Sequence, residues 1–142
     1  MGRYVAIAEL ALYAPAGRVL ELADAPFDAT LEAPGAAAAV IETAIASAED
    51  EIDGVLGRRI AVPLGQPSAE IRRMAAQNAL FHLAARKSEF VEVWARQREG
   101  NLKRLDAIAS AEQEATGATV VEAALLTTEG EGTLINGGLS DF

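Results

Sequence analysis

No cysteine occurs in the 142 residues, which removes disulfides, thiolate metal sites and cysteine nucleophiles. Histidine is nearly as scarce. His82 stands alone, which argues against a histidine-based zinc site and against a Ser-His-Asp triad. Basic side chains are outnumbered, 12 Lys and Arg against 21 Asp and Glu, for a net charge of −9. Binding DNA or an anionic membrane depends on neutralising phosphate with Lys and Arg, so neither is expected to be the main task of this chain. Long apolar runs are missing too, and none reaches the roughly 18 residues of a membrane span. The N-terminus lacks a basic region followed by an apolar stretch and a small-residue cleavage site, so no secretory leader is expected. The length suits one domain with one core, and the expectation is a soluble intracellular protein.

What is present is helical patterning rich in alanine, the best helix former and a residue small enough to let helices pack closely. The run "YVAIAELALY" over residues 4–13 predicts a short helix stopped by Pro15 and Gly17, and "GRVLELAD" predicts a second. The Pro- and Gly-bearing "DAPFDATLEAPG" reads as a loop. Val40, Ile41, Ala44, Ile45, Ala48, Ile52, Val55 and Leu56 recur at spacings of three and four, which predicts one long helix over 36–58 ending at Gly57. After an extended "RIAVPLGQPS", Ser68 is placed to cap a helix running to about residue 87. Its main apolar face carries Ile71, Met74, Ala75, Phe81 and Ala85, while Leu80 and Leu83 point elsewhere, so two neighbours must cover it. A last helix, capped by Ser88, is predicted over 89–114 with Phe90, Trp94, Leu105 and Ile108 on one side, ending at Gly117. The fold class is all-α: a small helical bundle of two short N-terminal helices, three long helices and an extended C-terminal arm. The division is a helical domain, 1–117, and an extended C-terminal arm, 118–142.

Four acids crowd one stretch, "AEDEIDGVLGRR". At about 100° per residue, Glu49 and Asp53 fall together beside the apolar stripe, Asp50 points away and Glu51 lies on the opposite flank. Carboxylates that diverge from one helix cannot surround a hard cation, so a solvated or salt-bridged face is the better reading and no metal or cofactor is expected. The glycines follow the helix and no Lys-Ser or Lys-Thr accompanies them, which excludes a phosphate loop. Asp24 and Asp28 lack the glycine and distal glutamate of a calcium loop. His82 and Asn78, one turn apart, read as a hydrogen-bonded core pair, with a polar pocket the lesser alternative. The pairs Arg58-Arg59, Arg72-Arg73 and Arg86-Lys87, with Arg96, Arg98, Lys103 and Arg104, are interleaved with acids, so pairing within the protein or with another subunit is favoured over nucleic acid. Trp94 reads as a core anchor. No residue set can activate a nucleophile, and an enzyme is not expected. A helical body with an apolar-tipped arm favours an assembly protein; a small helical nucleic-acid-binding regulator is the alternative from another class.

The order of "YVAIAEL", "RVLELAD", "AIASAEDEIDGVLGRRIAVPL", "EIRRMAAQNALFHLAARK" and "VWARQREGNLKRLDAIASAEQE" resembles the Mu-like phage head-to-tail joining proteins, which belong to the neck-adaptor group, with a fainter echo in the terminal "INGGLSDF". The loop "DAPFDATLEAPG" departs from the aspartate- and glycine-rich loop of many relatives. The resemblance implies a homo-oligomeric ring, a dodecamer, in the virion neck. It would sit between the portal protein and a tail-side neck or tail terminator protein, with DNA passing through its channel without specific binding and no membrane involved. A different neck or tail-completion protein is the rival within that class. On this reading Leu134, Ile135, Leu139 and Phe142 of the arm contact the portal. Arg58, Arg59, Arg72 and Arg73 lie near a subunit interface, and Glu42, Glu49, Asp50 and Asp53 face the channel.

Overall fold

A computed structural model describes the backbone of residues 2–129 and the side chains as far as residue 115. The described residues are all-helical, with no strand: a 3-10 helix, Ile7–Leu12, then α1, Ala16–Leu22, α2, Ala37–Leu56, α3, Ala69–Arg86, and α4, Glu92–Glu129. The spacing of the isoleucines does what periodicity requires: Ile41, Ile45 and Ile52 are all buried along α2, with Ala44, Ala48 and Leu56 between and beyond them. Ser68 caps α3, its Oγ accepting from the Ile71 N–H at 3.2 Å. α3 is the central element, packed against α1, α2, α4 and the 3-10 helix. That is why Leu80 and Leu83, off the main face, are as fully buried as Ile71 and Met74. Ala75, Ala76, Ala79 and Ala109 are buried among them, small enough to bring helix axes close.

The structure departs from the sequence reading in five places. Residues 4 and 5 are not helical but run against α2, where the Glu49 carboxylate takes their backbone N–H groups, so only a short 3-10 turn remains of the first helix. Ser88 does not cap α4. It closes α3 instead, in a left-handed conformation (φ 59°), its N–H donating to the Ala85 carbonyl. The three-residue delay before α4 starts leaves Phe90 in the connection, 76% exposed, rather than on the core side with Trp94 and Leu105. Ala85 is exposed and Phe81 only half-buried, because the last turns of α3 lie at its margin. Finally, α4 does not stop at Gly117 but continues to Glu129. One glycine costs a helix interior only about 1 kcal/mol relative to alanine, and the Ala, Glu and Leu residues that follow offset that. Residue 118, where the extended arm was expected to begin, thus lies within α4, and Leu134, Ile135, Leu139 and Phe142 lie outside the described residues.

Candidate interaction site

The acidic stretch of α2 is organised by Arg3. Its guanidinium donates through Nη1 to Asp53 Oδ2 and through Nη2 to Asp50 Oδ1, both at 2.6 Å, and its Nε lies 3.6 Å from Glu49 Oε1. The sequence expectation that these acids do not converge is thus corrected: three of them meet a planar cation brought in from the N-terminus. Glu49 is only 2% exposed, and a carboxylate so buried must be compensated. The Tyr4 N–H at 2.7 Å, the Val5 N–H at 3.3 Å and Arg3 supply that. The Tyr4 hydroxyl donates to Asp53 Oδ1 and accepts from the Leu64 N–H at 2.9 Å, tying the N-terminal segment, α2 and the α2–α3 connection together. Burial and the bond to Asp53 push its phenol up to about 12. Gly2 is dictated by the same close approach, since a Cβ there would sit 2.4 Å from Glu49 Oε2 and 2.5 Å from the Val5 carbonyl oxygen.

The fourth acid faces another way. Glu51 Oε1 is 2.8 Å from His82 Nε2, and its Oε2 accepts from Arg98 Nε at 2.8 Å and from Arg98 Nη2. Burial alone would push the Glu51 carboxyl up; the bonds and charges of His82 and Arg98 outweigh it and hold the carboxyl below its ordinary value. Arg98 also lies over the Phe81 ring, 4.7 Å from its centre. His82 is therefore bound to Glu51 and not to Asn78, which corrects the expected pair. Asn78, fully buried, accepts from Asn101 Nδ2 at 3.0 Å, while Asn101 also donates to Gln77 Oε1 at 3.1 Å. The Asn78 Nδ2 has no hydrogen-bond partner among the described residues.

A groove of about 380 Å³ opens between α2 and α3, lined by Ala39, Val40, Thr43, Ala44, Ser47, His82 and Arg86. At the same end Arg86 donates to the Leu22 carbonyl and to Asp24, and Lys87 pairs with Asp24 at 2.8 Å. The Lys87 and Arg86 bonds hold the Asp24 carboxyl below its ordinary value. Among the described residues no group of three or more His, Asp and Glu is arranged to hold a metal ion, and no helix is long and apolar enough to cross a membrane.

Against known proteins, the family model described as Bacteriophage Mu, Gp36 matches residues 4–131. The chain belongs to that family. Neither the curated proteins nor the solved structures contain a match. Membership of the Mu Gp36 family makes it a Mu-like phage protein of the structural or assembly class. In this Gp36-family chain the residues singled out from sequence are scattered over different duties. Glu49 is buried and Asp53 nearly so, both spent on the N-terminal segment, so neither can present a free charge to a channel; Asp50 is exposed but holds Arg3. Glu42 is exposed and borders a recess of about 240 Å³ beside Gly2 and Arg3. Of the four arginines assigned to an interface, Arg72 pairs with Glu9 at 2.7 Å, and Arg59 reaches Asp106 at 3.7 Å and Gln113 at 3.2 Å. Arg58 is exposed; Arg73 is half-buried, with its Nε unpartnered among the described residues. Trp94 is a buried core residue. Sequence reasoning missed Arg3 and Tyr4, which draw Glu49, Asp50 and Asp53 together, and saw Arg98 only as one of several basic side chains expected to pair with acids. An isolated Arg-Tyr near the N-terminus was the one signal available for the first two.

Proposed function

We propose that this Gp36-family protein is a head-to-tail connector: a structural adaptor whose copies form a ring between the portal and the tail of a Mu-like phage particle. The observation that carries the reading is the family match over residues 4–131, joined to the order of helices by which the chain resembles the joining proteins. The electrostatics support it. DNA must slide through a neck without being gripped, and a net charge of −9 disfavours a hold on phosphate. A stiff helical body braced by ion pairs suits a part that transmits contact between larger partners and makes or breaks no covalent bond.

The test is an image of the purified protein mixed with its cognate portal. A ring of density seated on the portal, and the same density in the collar of the intact particle, is the expected result. A collar lacking this polypeptide overturns the proposal. A duplex-mobility assay separates it from the nucleic-acid regulator, which would shift DNA in a salt-dependent manner, whereas a connector of this charge leaves the duplex unshifted at physiological salt.

A further inference from the structure

The α2–α3 groove has an apolar lining, Ala39, Val40 and Ala44, and two nitrogen-bearing side chains, His82 and Arg86, with no carboxylate among its lining residues. Two of Arg86's five N–H donors are engaged, by the Leu22 carbonyl and Asp24, which leaves others for an incoming acceptor. Asp24 is already shared with Lys87, so this end of the groove keeps a positive excess. A ligand that fits should be apolar and acidic, with no cation of its own.

The chain carries such a segment. No Lys or Arg follows Arg104, whereas Asp106, Glu112, Glu114, Glu122, Glu129, Glu131 and Asp141 do, and Leu134, Ile135, Leu139 and Phe142 stand among the last of them. Whether it could reach the groove of its own molecule is a question of length. α4 follows α2 in the same direction: Arg98 meets Glu51, and Asp106, eight residues on, meets Arg59, which lies eight residues after Glu51 and just past the end of α2. By that register the groove residues Ala39 to Ser47 lie beside or before the first turn of α4, some 35 to 43 residues short of the level of Glu129. At 1.5 Å per helical residue the separation is about 52 to 64 Å. Fully extended chain spans at most about 3.6 Å per residue, so Leu139 lies within about 36 Å of the end of α4 and Phe142 within about 47 Å. Leu139 therefore falls short of the groove of its own copy, even at the His82 end, which is level with Arg98 and about 46 Å from the end of α4.

We infer that the α2–α3 groove is the seat for the 134–142 segment of a second copy of this chain, with Leu139 and Phe142 on its apolar lining and Asp141 beside Arg86. The contact is heterologous, groove to segment, and repeats from copy to copy; it closes a ring if the rotation allows and otherwise gives an open chain. It stands independently of the connector role, and it assigns to a neighbouring copy the segment whose sequence suggests portal contact.

A chain without cysteine makes the test direct. Full-length Thr43→Cys and Leu139→Cys proteins are mixed under a mild oxidant, with Glu112→Cys replacing Thr43→Cys as the control. Thr43 and Glu112 are exposed, so both proteins should melt like the parent. A disulfide forms only where the Cα atoms come within about 7 Å. Docking raises the local concentration of one thiol at the other, so the Thr43→Cys and Leu139→Cys mixture should give about tenfold more mixed dimer than the control pair. Equal yields from the two mixtures overturn the inference. A chain carrying both substitutions should form a ladder of covalent oligomers; a closed, fast-migrating monomer instead would assign the groove to its own segment and overturn the second-copy claim. Repeated with the portal present, capture of Leu139→Cys by the portal with no coupling to Thr43→Cys would give the segment to the portal and equally refute the inference.

Discussion

Glu51 bears the strongest test of a single side chain, because two partners reach it from different helices, His82 from α3 and Arg98 from α4. Its native carboxyl titrates below the ordinary 4.5, so its contribution to stability is fully present above that value and is lost as pH falls through the lower native one. Glu51→Gln should therefore lower stability at neutral pH and flatten the acid side of the stability curve below 4.5, as read by urea unfolding at a series of pH values. An unchanged acid limb would show that the three side chains are not coupled in solution. Tyr4 gives the opposite sign. Its phenol is raised to about 12, so the stability it contributes is present below the ordinary 10.0 and lost as pH rises through about 12. Tyr4→Phe removes the bonds to Asp53 and to the Leu64 N–H at a buried site, which should cost about 1 to 2 kcal/mol and abolish the highest step in the phenolate titration. Urea unfolding checks the first effect and ultraviolet absorbance the second.

At the scale of elements, the α3–α4 contact carries a polar pin. Asn101→Leu strips Asn78 of its one described partner in a fully buried position, and Asn78→Leu does the same to one bond of Asn101. Each should cost about 1 to 3 kcal/mol, while the double replacement, apolar on both sides, should recover most of that loss. Additive losses in the double-mutant cycle would mean that the two amides do not act as a pair. Helix α4 offers a second check. Gly117 lies inside it, so Gly117→Ala should raise helicity in circular dichroism and add up to about 1 kcal/mol, where a glycine that ended the helix would show no such gain. These elements also show what could be read from sequence. α2 was legible because Ile41, Ile45 and Ile52 repeat at helical spacing, and α3 because Ser68 marks its start. The ends of α4 were not: Ser88 serves the helix before it, and Gly117 carries a propensity penalty too small to stop a helix. The acids of α2 were visible but their organiser was not, since Arg3 meets Asp50 across 47 residues and Asp53 across 50, and no local pattern encodes that contact.

The whole molecule divides by where its core lies. Among the described residues, every member of the buried apolar cluster falls between Tyr4 and Ala109, drawn from the N-terminal segment, the four helices before α4, the connection that carries Leu31 and the first half of α4. Cooperative unfolding should therefore depend on that body alone. Removing residues 130–142 leaves every one of those residues in place and should leave the melting transition where it was. Ile52→Asp places an unpaired carboxylate at a position with no solvent exposure, ringed by apolar neighbours, a change that costs several kcal/mol and exceeds much of what a domain of this size has to lose. That variant should show no cooperative transition. Phe81→Asp is the intermediate case. Phe81 is only half-buried and stacks against Arg98, so an aspartate there can still meet a cation, and the protein should fold with a lowered melting temperature. Calorimetry of the three variants side by side ranks them: truncation like the parent, Phe81→Asp reduced, Ile52→Asp without a transition. A truncated chain that melts lower would extend the cooperative unit past Ala109, because only contacts made by residues 130–142 could then account for the difference.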